Sequence, residues 1–159
     1  MLAAVGGCSR GERPAPGPVR VTQPERITYE TGPCMGACPV YRLTIQPDGT
    51  GMFTGIRHTA QTGSFAIAAT PAQVRAFAEA LAPYRPARGD RRIVPGSPEC
   101  SQVATDQPSL TIRWSGGAGG DQRLEYYRGC DMAANAAMAE ALAGAPALLP
   151  IAALIGEGQ

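Results

Sequence analysis

The fold is decided by one stretch, Pro33-Cys34-Met35-Gly36-Ala37-Cys38-Pro39-Val40-Tyr41-Arg42-Leu43-Thr44-Ile45-Gln46-Pro47-Asp48-Gly49-Thr50. Apolar and polar side chains alternate over residues 40–46, which predicts a half-buried strand with one apolar face. Residues 47–50 predict a tight turn, because proline fixes φ and Asp-Gly accepts positive φ. A strand between two tight turns favours an antiparallel sheet.

The same kinds of pattern extend the sheet on both sides of this stretch. They predict strands at residues 26–30, 51–55, 63–68, 109–115 and 122–127. Residues 85–99 are polar and are expected to form a long loop.

Helices are predicted in the two remaining parts of the chain. The first begins at Pro71 with Thr70 as its cap, and the second runs from Asp131, as its cap, to about Ala143. The apolar tail at residues 148–155 is expected to pack as a final turn or helix. The predicted fold class is α+β, an antiparallel sheet of about five to six strands with two helices packed on one face.

Composition limits the classes of protein to which the chain can belong. Its 159 residues fit one domain plus a tail, and no apolar run is long enough for a membrane-spanning helix. The formal net charge of +1 argues against nucleic acid as a partner. We expect residues 26–159 to form a single domain.

The N-terminus resembles the end of a bacterial lipoprotein signal peptide. Small and aliphatic residues precede Cys8 in the run Met1-Leu2-Ala3-Ala4-Val5-Gly6-Gly7-Cys8-Ser9. The resemblance implies a lipid anchor on Cys8, with residues 1–8 as a remnant of the signal and the natural start upstream. In the lipoproteins that this segment resembles, a serine after the cysteine favours the outer membrane, so the resemblance implies that Ser9 directs the protein to its periplasmic face. Residues 9–25 are rich in proline and glycine and are expected to form a tether.

The other cysteines predict a disulfide framework. In an exported chain, Cys34, Cys38, Cys100 and Cys130 would form two disulfides, for which three pairings exist. We favour Cys34–Cys38 together with Cys100–Cys130. The closely spaced pair requires a turn, since a strand would carry its ends about 13 Å apart.

Two sets of motifs resemble a known bacterial family. The first is Cys34-x-Gly36-x-Cys38-Pro39-x-Tyr41 followed by Asp48-Gly49, and the second is Thr105-Asp106-x-Pro108 followed by Tyr127-x-Gly129. Over residues of about 25–143 the chain resembles the domain of unknown function 6438 family. The resemblance implies an exported protein, often a lipoprotein, with no known catalytic residue or cofactor to carry over.

Cys34 and Cys38 are the strongest candidates for chemistry. Their C-x-x-x-C-P spacing is similar to that of Sco-type copper-delivery proteins, and two thiolates with His58 as a third ligand would suit Cu(I). The same pair would also suit thiol redox chemistry. Against both hypotheses, the motif runs into a strand here, whereas in the Sco-type proteins it opens a helix.

The remaining charged residues show no catalytic constellation, so we expect no enzyme and no cofactor. Arg85, Arg88, Arg91 and Arg92 are expected to lie in a solvated loop, with a weak anionic contact as the alternative. The sequence thus predicts a non-catalytic envelope module with a binding or structural role. Its expected partners are the membrane, through the lipid anchor, and an envelope protein or small ligand. A thiol redox or Cu(I)-binding protein is the alternative.

Overall fold

The computed structural model of the chain describes residues 24–156, which form an α+β fold built on one open sheet. The predictions for Cys8, the signal remnant and residues 9–23 of the tether lie outside this range. The strands are β1 (Arg26–Thr31), β2 (Val40–Ile45), β3 (Thr50–Arg57), β4 (Gly63–Ala68), β5 (Gly89–Ile93), β6 (Ser109–Ser115) and β7 (Gln122–Tyr127). The helices are α1 (Pro71–Leu81), α2 (Ala136–Gly144) and α3 (Ala152–Ile155).

The seven strands follow the order β4-β3-β2-β1-β6-β7-β5. All neighbours are antiparallel except β5, which runs parallel to β7 at one edge. The first strand lies at the centre, where Tyr29 is opposite Leu43 on β2 and Ile112 on β6. The strands on either side are joined mainly by hairpins, as the tight turns predicted.

The helices cover one face of the sheet. Val74, Phe77 and Leu81 form the buried stripe of α1, and the ring of Phe77 lies edge-on to Tyr29 at 6.3 Å. The hydroxyl of Tyr29 donates a hydrogen bond of 2.9 Å to the main-chain carbonyl of Leu142 on α2. The opposite face carries polar side chains and is open in the part of the chain that the structure describes.

The first helix begins as the sequence predicts. The Thr70 hydroxyl accepts a hydrogen bond from the Gln73 amide, and the Gln73 side chain accepts one from the Thr70 amide. This reciprocal pair satisfies two amides that a helix start leaves without intrahelical partners.

The predicted number of strands was wrong, because residues 89–93 form β5 inside the segment expected to be a loop. Only Ile93 is buried in this strand, so it lacks the alternation that marks the others. Its charged side chains are instead held by ion pairs, between Arg91 and Glu99 and between Arg92 and Glu125.

The predicted number and limits of the helices also need correction. The second helix begins at Ala136, and Asp131 is not its cap. Asp131 has a φ of 42° and its carboxylate accepts hydrogen bonds from Ser101 and Gln102 instead. The apolar tail forms a short 3₁₀ helix at Ala145–Leu148 followed by α3. Within the described residues, no helix has the length and apolar character needed to cross a bilayer.

Candidate functional site

The open face of the sheet carries an unbroken row of polar and charged side chains across five strands. Neighbouring positions in the register run from β2 through β1, β6 and β7 to β5 in the order Arg42, Glu30, Thr111, Glu125 and Arg92. Side chains opposite one another in neighbouring strands lie close enough to interact. The row therefore joins parts of the chain that are distant in sequence into one surface.

The first cluster in this row is centred on Glu30. Its carboxylate Oε1 accepts hydrogen bonds from Arg42 Nε at 3.1 Å and from Arg113 Nη1 at 3.4 Å. The glutamate side chain is 23% exposed, whereas Arg42 and Arg113 are 58% and 47% exposed. One sheltered carboxylate thus holds two exposed guanidinium groups.

A second cluster of the same kind is centred on Glu125. Arg92 Nε lies 2.9 Å from Glu125 Oε2, and Arg123 Nη2 lies 3.5 Å from Glu125 Oε1. Arg123 is directly opposite Arg113 in the register, so the two clusters meet through like charges. Such a pair is unfavourable by itself, and the shared glutamates offset the repulsion.

We call the surface formed by these two clusters and Arg26 the arginine face. It holds five arginines against Glu30, Glu125 and the neighbouring Asp90, an excess of two positive charges. The whole chain has a net charge of only +1, so positive charge is concentrated here. Around Glu30 the surface dips into a shallow depression of about 380 Å³ that also presents hydroxyl groups, from Thr28, Thr44 and Ser115.

Basic charge in this protein comes from arginine alone, since the sequence contains no lysine. A guanidinium presents five N–H donors in a planar fork and stays protonated at every ordinary pH. The two nitrogens of this fork fit the two oxygens of a carboxylate or a phosphate. The arginine face is therefore suited to an anionic partner.

The cysteine turn lies beside the sheet and is closed by a disulfide. The structure pairs Cys34 with Cys38, Cα atoms 5.8 Å apart, and Cys100 with Cys130, Cα atoms 5.0 Å apart. These are the pairs that the sequence favoured. The first bond is half-buried at the surface, whereas Cys130 is fully buried beneath the second.

The tip of the cysteine turn projects into solvent. Met35 is 78% exposed, and its amide donates a hydrogen bond to the Asp106 carbonyl at 3.3 Å. Gly36 has a φ of 134°, a conformation that glycine adopts without strain.

His58, the proposed third copper ligand, lies in the hairpin between β3 and β4. It is exposed and has a φ of 56°. Among residues 24–156, no three His, Cys, Asp or Glu side chains are positioned together to hold a metal ion. The structure thus shows Cys34 bonded to Cys38 and does not group His58 with them as a ligand set.

The expectation that the basic run is a solvated loop was wrong for most of its arginines. Arg85 makes a two-pronged ion pair with Glu25, at 2.6 and 3.0 Å, and its guanidinium lies 5.4 Å from the ring centre of Trp114. Its Nε also donates to Gln122 Oε1 at 2.9 Å. Together with the pairs made by the β5 arginines, these contacts leave Arg88 as the member of the run that makes no ion pair within residues 24–156.

Sequence reasoning placed part of the arginine face on the polar side of predicted strands, but it left Arg92 in a loop and missed the site. Alternation assigned Arg42 to the polar side of its strand, yet Glu30 and Arg113 come from strands that are distant in the sequence. The available signal was the recurrence of arginine on the polar side of several predicted strands. Only the order and register of the strands bring these arginines together.

The comparisons with known proteins identify a family and go no further. A family model described as Domain of unknown function (DUF6438) matches residues 25–145, which confirms the resemblance stated from the motifs. No curated protein and no solved structure matches the chain.

Proposed function

Since the chain belongs to the DUF6438 family, whose description names no function, we propose that it is a disulfide-stabilised, non-catalytic binding module of the bacterial cell envelope. Two disulfides cross-link its fold, helices cover one face of its sheet, and the arginine face on the other side is available to a partner. The partner is an envelope protein or a small ligand.

The presence of two disulfides is the single observation that carries this proposal. Disulfides form and persist in oxidising compartments such as the periplasm and are rare in the cytosol. All four cysteines of the described part of the chain are paired, one bond at the surface and one in the core. This pattern favours a protein that matures after export.

The proposed cellular location is inferred from the sequence that precedes the domain. We propose that Cys8 carries a lipid anchor, that residues 9–25 form the tether, and that the domain faces the periplasm from the outer membrane. The family match begins at Glu25, where the tether is expected to end.

The proposal is tested on the full-length gene product, including any residues encoded upstream of Met1. We expect it in the membrane fraction, with a diacylglycerol adduct on Cys8 by mass spectrometry and no free thiol among the other cysteines. The matched variant Cys8→Ser is expected to leave the membrane fraction with both disulfides intact. A wild-type protein found in the cytosol with reduced thiols would overturn the proposal.

A second candidate function uses the surface disulfide for thiol redox chemistry or, once reduced, for Cu(I) binding. It is favoured by the difference in burial between the half-exposed Cys34–Cys38 bond, beside the exposed Met35, and the buried Cys100–Cys130 bond. Reduction would transfer two electrons and two protons from a thiol reductant to the bond. Selective reduction with mild reductant, followed by Cu(I) titration of wild type and of Cys34→Ser/Cys38→Ser, tests it. Wild-type protein that resists reduction and takes no Cu(I) rules it out.

A further inference from the structure

We infer that the arginine face is the binding site of the module and that its partner is an acidic polypeptide segment of another protein. This inference rests on the proposed function as a binding module and adds the surface and the chemical class of the partner. It is carried by the two Arg–Glu–Arg clusters and by the chemistry of the side chains around them.

The clusters leave donors free for a second carboxylate. Each glutamate is shared by two arginines, and each guanidinium has five N–H donors, of which the glutamate occupies at most one. The glutamates fix the guanidinium groups along the sheet, so little side-chain freedom is lost when a partner binds. The free donors and the excess of positive charge are complementary to an acidic partner.

The spacing of the clusters fits an extended acidic chain. Glu30 and Glu125 are separated by two strand spacings, with Thr111 between them, which is roughly 10 Å. In a polyproline II helix, which has three residues per turn and a rise of about 3.1 Å per residue, every third side chain lies on the same face at a spacing of roughly 9 Å. Acidic residues at every third position would therefore meet both clusters at once.

The surrounding side chains disfavour a glycan. Sugar rings pack on aromatic side chains, and the outward positions of β1, β2 and β6 carry none in the described structure. Tyr127 is the aromatic residue at an outward position of β7, and its hydroxyl accepts a hydrogen bond from the Gln107 amide at the end of the strand. The arginine face thus lacks a stacking platform.

A lipid surface is disfavoured for a related reason. Membrane-binding surfaces combine basic residues with apolar side chains that insert among the lipids. The exposed apolar side chains of the open face, Met52 and Ile56, belong to β3 and lie outside both clusters. Carboxylates on a protein are the anions that the arginine face fits best.

The test uses the full chain and a labelled peptide that carries glutamate at every third position in an otherwise neutral sequence. We expect saturable binding by fluorescence anisotropy, weakened by salt. The double variant Arg42→Gln/Arg113→Gln removes two arginines of the Glu30 cluster and is expected to weaken binding about tenfold or more. The matched control Arg75→Gln/Arg88→Gln removes the same charge from exposed positions elsewhere and is expected to change binding less than about twofold.

A further variant separates loss of binding from loss of structure. Arg26 makes no ion pair within residues 24–156, so Arg26→Gln breaks none and is expected to weaken peptide binding while leaving the melting temperature unchanged. Equal binding by the Arg42/Arg113 variant and its control would overturn the inference. So would tighter binding to vesicles of phosphatidylglycerol or to polygalacturonate than to the peptide.

Failure of this inference is distinguishable from failure of the proposed function. The inference alone would be overturned if the protein is exported, lipidated and oxidised but its peptide binding does not change in the variants of the arginine face. A reduced cytosolic protein would sink the proposed function whatever the peptide does.

Discussion

The hydroxyl of Tyr29 donates a hydrogen bond of 2.9 Å to the main-chain carbonyl of Leu142, a residue 113 positions later in the chain. Tyr29 lies on the central strand and Leu142 on α2, so one bond connects the middle of the sheet to the helices that cover it. Both side chains are buried, with 1% and 0% exposed. The helices therefore pack against the apolar face of the sheet, and the arginine face on the opposite side stays open.

Replacing Tyr29 by phenylalanine should test that connection. The change keeps the ring against Phe77 and leaves the Leu142 carbonyl without its side-chain donor. We expect a loss of about 1–2 kcal/mol in the free energy of unfolding, measured by urea titration. Tyr84→Phe, at a half-buried tyrosine whose hydroxyl has no partner among the described residues, is the control and should cost little.

Buried tyrosines also predict sensitivity to alkaline pH. Burial raises the pKa of Tyr29 and the pKa of Tyr41 well above the usual 10.0. A phenol whose folded pKa is raised contributes stability that is full below pH 10 and is lost as pH rises above it. We expect the urea midpoint to fall above pH 10, and to fall less steeply in Tyr41→Phe. The absence of lysine removes the other side chain that titrates in this range. A midpoint that is flat from pH 9 to pH 11 would contradict this prediction.

The two disulfides should differ in their contribution to stability. In the chain-entropy model, the bond that spans 30 residues contributes about 4 kcal/mol and the bond that spans four contributes about 2 kcal/mol. Replacing Cys100 and Cys130 by alanine should therefore lower the free energy of unfolding more than replacing Cys34 and Cys38, and it also opens the buried site of Cys130. Thermal melts of the two double variants, compared at one pH, measure the difference. The reverse order would show that the surface turn supports more of the fold than its size indicates.

Asp131 should make stability depend on acid pH. Hydrogen bonds from the side chain and amide of Ser101 and from the Gln102 amide hold the pKa of this carboxyl below its usual 3.8. Because the folded pKa is lowered, the contribution is present above pH 3.8 and is lost as pH falls below it. Asp131→Asn, which tolerates the positive φ, should lower the urea midpoint at pH 7 and have a smaller effect at pH 2. Glu140→Gln, on the exposed part of α2, controls for the loss of one negative charge.

Most of the sheet could be predicted from the sequence because each hairpin pairs residues that are close together in the chain. Alternation and a tight turn predicted β2. For β4, β6 and β7, the first and last residues predicted from the sequence are those that the structure shows. The strand β5 escaped prediction because its formation depends on parallel pairing with β7, more than thirty positions away, and its charges mimic a loop.

The arginine face escaped prediction for the same reason. A pattern along one strand tells which side chains share a face, but the neighbour of Glu30 on each side is set by strand order. Strand order here follows from a central β1 that pairs with both β2 and β6, and no local pattern encodes that choice.

The start of the domain should depend on Arg85. Its guanidinium makes a two-pronged pair with Glu25, donates to Gln122, and lies 5.4 Å from the ring centre of Trp114. Glu25 immediately precedes β1, so the contact fixes the point where the tether is expected to enter the sheet. We expect Arg85→Ala to cost about 1–2 kcal/mol in the free energy of unfolding and to speed tryptic cleavage after Arg26.

The variant Arg85→Lys separates the contribution of the planar guanidinium group from the contribution of its positive charge. Lysine keeps the positive charge but loses the planar fork that binds Glu25 and Gln122 together and stacks on Trp114. The lysine variant should therefore recover less than about half of the stability lost in Arg85→Ala. Full recovery would mean that charge alone holds the junction, and Arg75→Lys on the exposed side of α1 shows the effect of the same substitution where no such contacts exist.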